Sequence, residues 1–167
     1  GIDIYNIYAN SLGNVSIGST GGYWNTIEGN NSSRIDLVGL VINTYGSISL
    51  TRIKVLNNYR YGAILSNRFS TLYKAITLTD CFFDSNENYG VMAESAGAIT
   101  MRGVSASYNS PHNGEIAVVG SGPGGAITAT SALLKVTSLG GDDRLRVAPF
   151  AYFASGATRN ASSRRVR

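Results

Sequence analysis

One short pattern recurs along the chain and constrains its fold more than any other feature. Gly46-Ser-Ile-Ser-Leu-Thr-Arg-Ile-Lys-Val-Leu-Asn-Asn58 aligns with Lys74-Ala-Ile-Thr-Leu-Thr-Asp-Cys-Phe-Phe-Asp-Ser-Asn86 and with Gly97-Ala-Ile-Thr-Met-Arg-Gly-Val-Ser-Ala-Ser-Tyr-Asn109. Gly125-Ala-Ile-Thr-Ala-Thr opens the same way, and Ile2-Asp-Ile-Tyr-Asn-Ile-Tyr-Ala fits as a first copy. The first apolar column is then Ile2, Ile48, Ile76, Ile99 and Ile127. Apolar residues stand at positions 1, 3, 6 and 8 of each copy, which is strand period two broken by a bend.

A second landmark follows each copy. Gly13, Gly39, Gly62, Gly90 and Gly114 are spaced by 26, 23, 28 and 24 residues. Two residues after each stands Val15, Val41, Ile64, Met92 or Ile116, an apolar column that reads as a short inward-facing strand. The glycine itself fits a turn with positive φ. The stretch 25–38 is degenerate: Asn25 and Asn30 occupy positions expected to be apolar, and Ile35-Asp-Leu-Val-Gly-Leu offers a competing register.

Repeats of 23–28 residues holding short strands in register predict an all-β fold, a right-handed parallel β-helix of about five to six coils. Coils stacked about 4.8 Å apart place like residues over like. Asn58, Asn86 and Asn109 are then expected to form an Asn ladder, and Arg52 to sit beneath Asp80 as a surface ion pair. A β-sandwich of similarly spaced strands gives no reason to repeat Ile-Thr-Leu-Thr, Ile-Thr-Met and Ile-Thr-Ala.

The expected organisation is a repeat domain over 1–137, a capping or subunit-junction segment over 138–153 and a flexible basic tail over 154–167. Leu145, Val147, Phe150, Tyr152 and Phe153 are the candidate junction residues, apolar enough to cover the end of the stack or to add to a neighbouring subunit. The charge agrees with this division. Of 14 basic residues, Arg159, Arg164, Arg165 and Arg167 fall in the last nine positions, leaving 10 basic against 10 acidic groups before them. The net +4 therefore belongs to the tail, and the body has none of the basic bias expected of a nucleic-acid binder. Charged residues are 14% of the chain, too few to clothe a helical bundle, and no apolar run reaches transmembrane length. Gly1-Ile2-Asp3-Ile4 reads as mid-strand, without initiator Met or signal peptide, as in a processed product or fragment.

The Ile-x-Leu-x-x-Ile-x-Val-x-x-Asn strand followed by Gly-x-Ile resembles the repeats of the pectin-lyase-like superfamily, closest in style to large secreted bacterial surface and adhesin-type repeat proteins. The resemblance covers about residues 1–137. It implies a parallel β-helix and leaves function open, since the superfamily includes polysaccharide lyases, glycosidases, phage tailspikes and non-catalytic surface proteins.

Catalytic constellations are hard to assemble from the sequence. Arg52-Ile53-Lys54 and Asp142-Asp143 resemble polygalacturonase motifs but in reversed order, and His112 does not lie between glycines. Asp80, Asp84, Glu87 and Glu94 have no acid in the neighbouring copies at their own columns, which denies both a glycosidase carboxylate pair and a calcium cluster. One Cys and one His preclude ordinary zinc sites, so neither metal nor cofactor is expected. The expected role is that of a non-catalytic extracellular or cell-surface module that associates end to end into a fibre, with a polysaccharide-degrading enzyme or tailspike fragment as the alternative. Asn14-Val-Ser, Asn31-Ser-Ser and Asn160-Ala-Ser are glycosylation-type tripeptides that suit a secreted setting. Tyr59, Arg60, Tyr61, Tyr89 and Tyr108 lie between the ladder Asn and the repeat Gly, where aromatic faces beside polar donors suit a glycan. Mutual stacking of those tyrosines over the turn is the simpler use.

Overall fold

The computed structural model describes residues 13–30, 38–106 and 108–109 in full, and 2–6, 115–120, 126–130, 135–138 and 144–147 as backbone strands. The described part is all-β, without a helix, and every strand pairing is parallel. One six-stranded sheet, the first sheet, runs in the order β1 (Ile2–Asn6), β4 (Leu40–Thr44), β7 (Ala63–Ser66), β9 (Val91–Ser95), β11 (Glu115–Gly120), β13 (Lys135–Ser138). The second sheet contains β2 (Val15–Gly18), β5 (Ile48–Thr51), β8 (Ile76–Thr79), β10 (Ile99–Arg102), β12 (Ala126–Thr130) and β14 (Arg144–Val147). A third, short sheet pairs β3 (Asn25–Glu28) with β6 (Ile53–Leu56), and single bridges from Lys54 to Phe82 and from Phe82 to Ser105 extend it. Since neighbouring strands in a sheet come from successive repeats, the arrangement is compatible with a parallel β-helix.

The interior is built from rows of like residues. Val15, Ile48, Ile76, Ile99, Ile127 and Leu145 are in register across the second sheet, and so are Ile17, Leu50, Leu78, Met101, Ala129 and Val147. The central members are fully buried. Strands of the pattern Ile-Thr-Leu-Thr alternate buried and half-buried positions, because successive side chains point to opposite faces. Ile53, Cys81 and Val104, then Val55, Phe83 and Ala106, close the third side of the core.

Three expectations need correcting. Ile2 pairs with Leu40 in the first sheet and so does not belong to the Ile48 column; Val15 heads that column. Period-two alternation looks the same in either sheet, so pattern alone could not assign it. In the first sheet the buried row is Leu40, Ala63 and Val91, directly after the glycine, while Val41, Ile64 and Met92 face outward and are half-buried. Ile116 registers with Val91 rather than Met92. These strands carry apolar residues consecutively (Leu40-Val41-Ile42, Ala63-Ile64-Leu65), which hides the parity.

The glycines Gly39, Gly62 and Gly90 do not adopt left-handed φ. Space is the reason for them: a Cβ at Gly39 would lie 2.7 Å from Asn58 Nδ2, and one at Gly90 2.7 Å from Asn109 Nδ2. Left-handed φ recurs instead at Arg52, Asp80 and Gly103, the bend after the second-sheet strand, and at Gly29, Asn57, Ser85 and Tyr108, the next corner. Gly13 belongs to a different column, its carbonyl lying against Gly46.

Residues 25–30 of the degenerate stretch fall in register with 53–58. Asn25 pairs with Ile53 and Ile27 with Val55, which brings Asn30 level with Asn58. Because Gly18 pairs with Thr51, the six residues 19–24 stand opposite the single Arg52. This bulged copy is the least buried of the described strands. The competing segment Ile35–Leu37 lies outside the described residues, as do Phe150, Tyr152, Phe153 and the tail. Parallel pairing continues through β13 and β14, so Leu145 and Val147 register with Ile127 and Ala129 as a further strand.

Candidate functional site

The most organised polar feature is the corner that ends the third sheet. Each of Gly29, Asn57, Ser85 and Tyr108 takes a left-handed φ between 53 and 70° and turns the following Asn inward. Asn is the residue whose short amide reaches both its own backbone level and the next one. Asn58 donates from its backbone N–H (3.1 Å) and from Nδ2 (2.9 Å) to Asn86 Oδ1. Asn86 does the same to Asn109 Oδ1, at 2.8 and 3.1 Å. Second protons reach main-chain carbonyls, Asn86 Nδ2 donating to Val55 O (3.1 Å) and Asn109 Nδ2 to Phe83 O (2.8 Å). All three side chains are buried.

Asn30 is a further rung that the sequence reading missed, donating from Nδ2 to Asn58 Oδ1 at 2.7 Å. Its 28-residue distance from Asn58, equal to that from Asn58 to Asn86, was the available signal. It was obscured because the flanking residues depart from the apolar pattern.

The candidate glycan-contact residues flank this corner. Tyr61 and Tyr89 stack with ring centroids 5.7 Å apart and planes 8° from parallel, so the faces they turn to each other are closed to a sugar. The Arg60 guanidinium lies 5.8 Å from the Tyr61 ring centre. Tyr59 is partly exposed, and Tyr108 is 84% exposed in the left-handed column, one position before the ladder. Asn57, Asn58, Ser85 and Glu87 line a shallow polar depression beside them.

Other motif residues have structural settings. Ile53 is fully buried, while Arg52 occupies the bend and Lys54 projects outward between two aromatic rings, its Nζ 5.0 Å from Trp24 and 5.9 Å from Phe82. Trp24 and Phe82 meet edge to face at 4.9 Å. The expected Arg52–Asp80 ion pair does not form. Asp80 has a left-handed φ of 50° and turns Oδ1 over Gly103, into the space a side chain there would fill and away from Arg52. An ion pair does join Arg68 Nη1 to Glu94 Oε2 at 3.2 Å. Among the described residues no three His, Cys, Asp or Glu side chains gather as a metal site would require. Asp84 accepts a hydrogen bond from Ser105 Oγ at 3.3 Å. Cys81 is buried in the core, where desolvation pushes its thiol above the usual range and makes the thiolate harder to form.

The corner between the first and second sheets was not singled out from sequence. Thr44, Asn67 and Ser95 stand in one buried row at the ends of β4, β7 and β9. Three residues connect Thr44 to Ile48 and Ser95 to Ile99, whereas eight, 68–75, connect Asn67 to Ile76. This longer loop holds Phe69, Leu72 and Tyr73 more than half exposed.

Comparison with known proteins finds no family model, no curated relative and no solved structure that matches the chain. The resemblance to pectin-lyase-like repeats therefore rests on the residues of the repeat itself.

Proposed function

We propose that the chain is a right-handed parallel β-helix module of an extracellular or cell-surface protein, non-catalytic, and built to join end to end into a fibre or elongated adhesin. The observation that carries this reading is the alignment of its sheet edges. Strands β1, β2 and β3 each terminate their sheet on the side of the earlier repeats, and β13 and β14 terminate theirs on the side of the later ones, each parallel to its neighbour in the sheet. Such edges accept a further parallel strand from whatever lies next, whether more of the same polypeptide or another copy. Repetition of small, uncharged Ser and Thr along the second sheet also suits a long exposed wall, since like charges in register would repel at every step. None of the described residues form a helix long and apolar enough to cross a bilayer.

Negative-stain microscopy and sedimentation of the purified chain test the proposal. Filaments, or oligomers growing with concentration, are expected. A strictly monomeric species at high concentration overturns it.

A further inference from the structure

The Asn corner stops before the two large sheets do. Ala63 follows Ile48 by 15 positions, Val91 follows Ile76 by 15 and Ile116 follows Ile99 by 17. Each of these intervals holds the third side of the core and an Asn ten positions after the Ile. In the next repeat Val136 follows Ile127 by only 9. Ten positions after Ile127 stands Thr137, which pairs with Ala117 inside the first sheet. That repeat therefore has no position for a rung over Asn109.

Asn109 is nevertheless equipped as a donor. Asn58 and Asn86 each give both a backbone N–H and Nδ2 to the oxygen of the following rung. Asn109 is fully buried and sends one Nδ2 proton to Phe83 O. Among the described residues none accepts from its N–H or from its other Nδ2 proton. Buried donors without acceptors are strongly destabilising, so the fold calls for an acceptor at this place.

The glycine column shows what stands there. Gly39, Gly62 and Gly90 immediately precede Leu40, Ala63 and Val91, and a Cβ on each would lie 2.6–2.7 Å from the Nδ2 of Asn58, Asn86 or Asn109. A side chain in this column is thus aimed at the rung, and glycine makes room where a rung exists. The same position before Ile116 is Glu115, and before Val136 it is Lys135. Glycine gives way at the repeat that has no rung. The two residues that replace it are opposite in charge and in register with each other.

We propose that Glu115 terminates the Asn ladder, its carboxylate taking the place of the next amide oxygen and accepting from the N–H and Nδ2 of Asn109, with Lys135 on the adjoining strand as its counter-ion. Reach agrees with this. Glu115 lies one strand spacing, about 4.8 Å, beyond Gly90, and a Glu side chain extends two carbons past its Cβ, enough to span that step. An ionised carboxylate accepts at both oxygens and brings no proton of its own, which suits the last partner of a row of donors. Opposite charges on adjacent strands compensate each other. The row of donors is thereby closed within the chain. On the end-to-end reading, from which this one consequence follows, a copy arriving on the later repeats is held by the edges of the two large sheets and not by Asn109.

Hydrogen exchange of single amides, followed by NMR on the full chain, tests the assignment. Glu115→Met keeps the length of the side chain and removes its oxygens. It should speed exchange of the Asn109 N–H by about tenfold or more, while the Asn58 N–H, bonded within the ladder, exchanges as before. Glu115→Gln keeps a side-chain oxygen and should retain most of the protection. In urea denaturation, Glu115→Met combined with Asn109→Ala should shift the midpoint by less than the sum of the single shifts, whereas Glu115→Met and Ser95→Ala should add. Unchanged Asn109 exchange in Glu115→Met, or full additivity with Asn109→Ala, overturns the proposal. Joining is read separately by microscopy, so a chain that forms no filaments leaves these results unaffected.

Discussion

Two corners of the molecule solve the same problem with different chemistry. Both must satisfy main-chain groups where the chain leaves a sheet and the backbone ladder is interrupted. At the Asn corner, Asn30, Asn58, Asn86 and Asn109 repeat one residue in one geometry, each amide bonded to the next. At the opposite corner, Thr44, Asn67 and Ser95 differ. Thr44 Oγ1 donates to Gly13 O (2.7 Å) and accepts from Gly46 N, and Ser95 Oγ likewise donates to Lys74 O (3.1 Å) and accepts from Gly97 N. Asn67 donates to both Gly46 O and Lys74 O, spanning the gap that its longer loop opens. A side chain that bonds only to the backbone can be replaced by another donor and can tolerate an insertion. One that bonds to its own counterpart in the next repeat cannot.

That contrast can be broken by mutation. Asn86→Ala strands the two donors of Asn58 and the Val55 carbonyl in the interior; a loss of about 3–5 kcal/mol is expected from urea denaturation. Gly62→Ala forces a methyl against Asn86 Nδ2, 2.6 Å from the ideal Cβ, and against the Gly90 carbonyl. It should cost about 2–3 kcal/mol, measured in the same way, and combined with Asn86→Ala it should cost less than the sum because the amide is gone. At the other corner Ser95→Ala should cost about 1–2 kcal/mol, with Ser95→Thr restoring most of it, since Thr44 already plays that part. Replacing residues 68–75 by the three-residue connection found at 96–98 should shift the thermal midpoint least, by the equivalent of about 1 kcal/mol or less. A larger loss there than for Asn86→Ala would overturn the contrast between the corners.

What could be read in the sequence follows the same division. The Ile48, Ile76, Ile99 and Ile127 row was legible because a single inward residue type recurs between polar neighbours. The Asn rungs at 58, 86 and 109 were legible because reciprocal bonding demands identity. The Thr44, Asn67 and Ser95 row was not, since three residue types meet one geometric need. Nor was the outward placing of Val41, Ile64 and Met92, where runs of three apolar residues carry no parity. The glycine column was noticed for the wrong cause: Gly62 makes room for an amide from the next repeat, a contact that appears only once repeats are stacked. Asp80 illustrates the limit of columnar reasoning. Its backbone is in the expected column, yet its carboxylate follows the vacancy at Gly103 instead of the charge on Arg52.

The Asn rungs also have a direction. The amide-to-amide bonds of Asn30, Asn58 and Asn86 each run from the nitrogen of the earlier rung to the oxygen of the later one. While the polypeptide emerges from a ribosome, the last completed turn thus presents donors that bond to water until their acceptor is synthesised. The following turn replaces that water with an amide oxygen. The two ends of the row therefore differ in kind: the Asn109 side offers amide donors to whatever follows, and the Asn30 side offers an amide oxygen to whatever precedes.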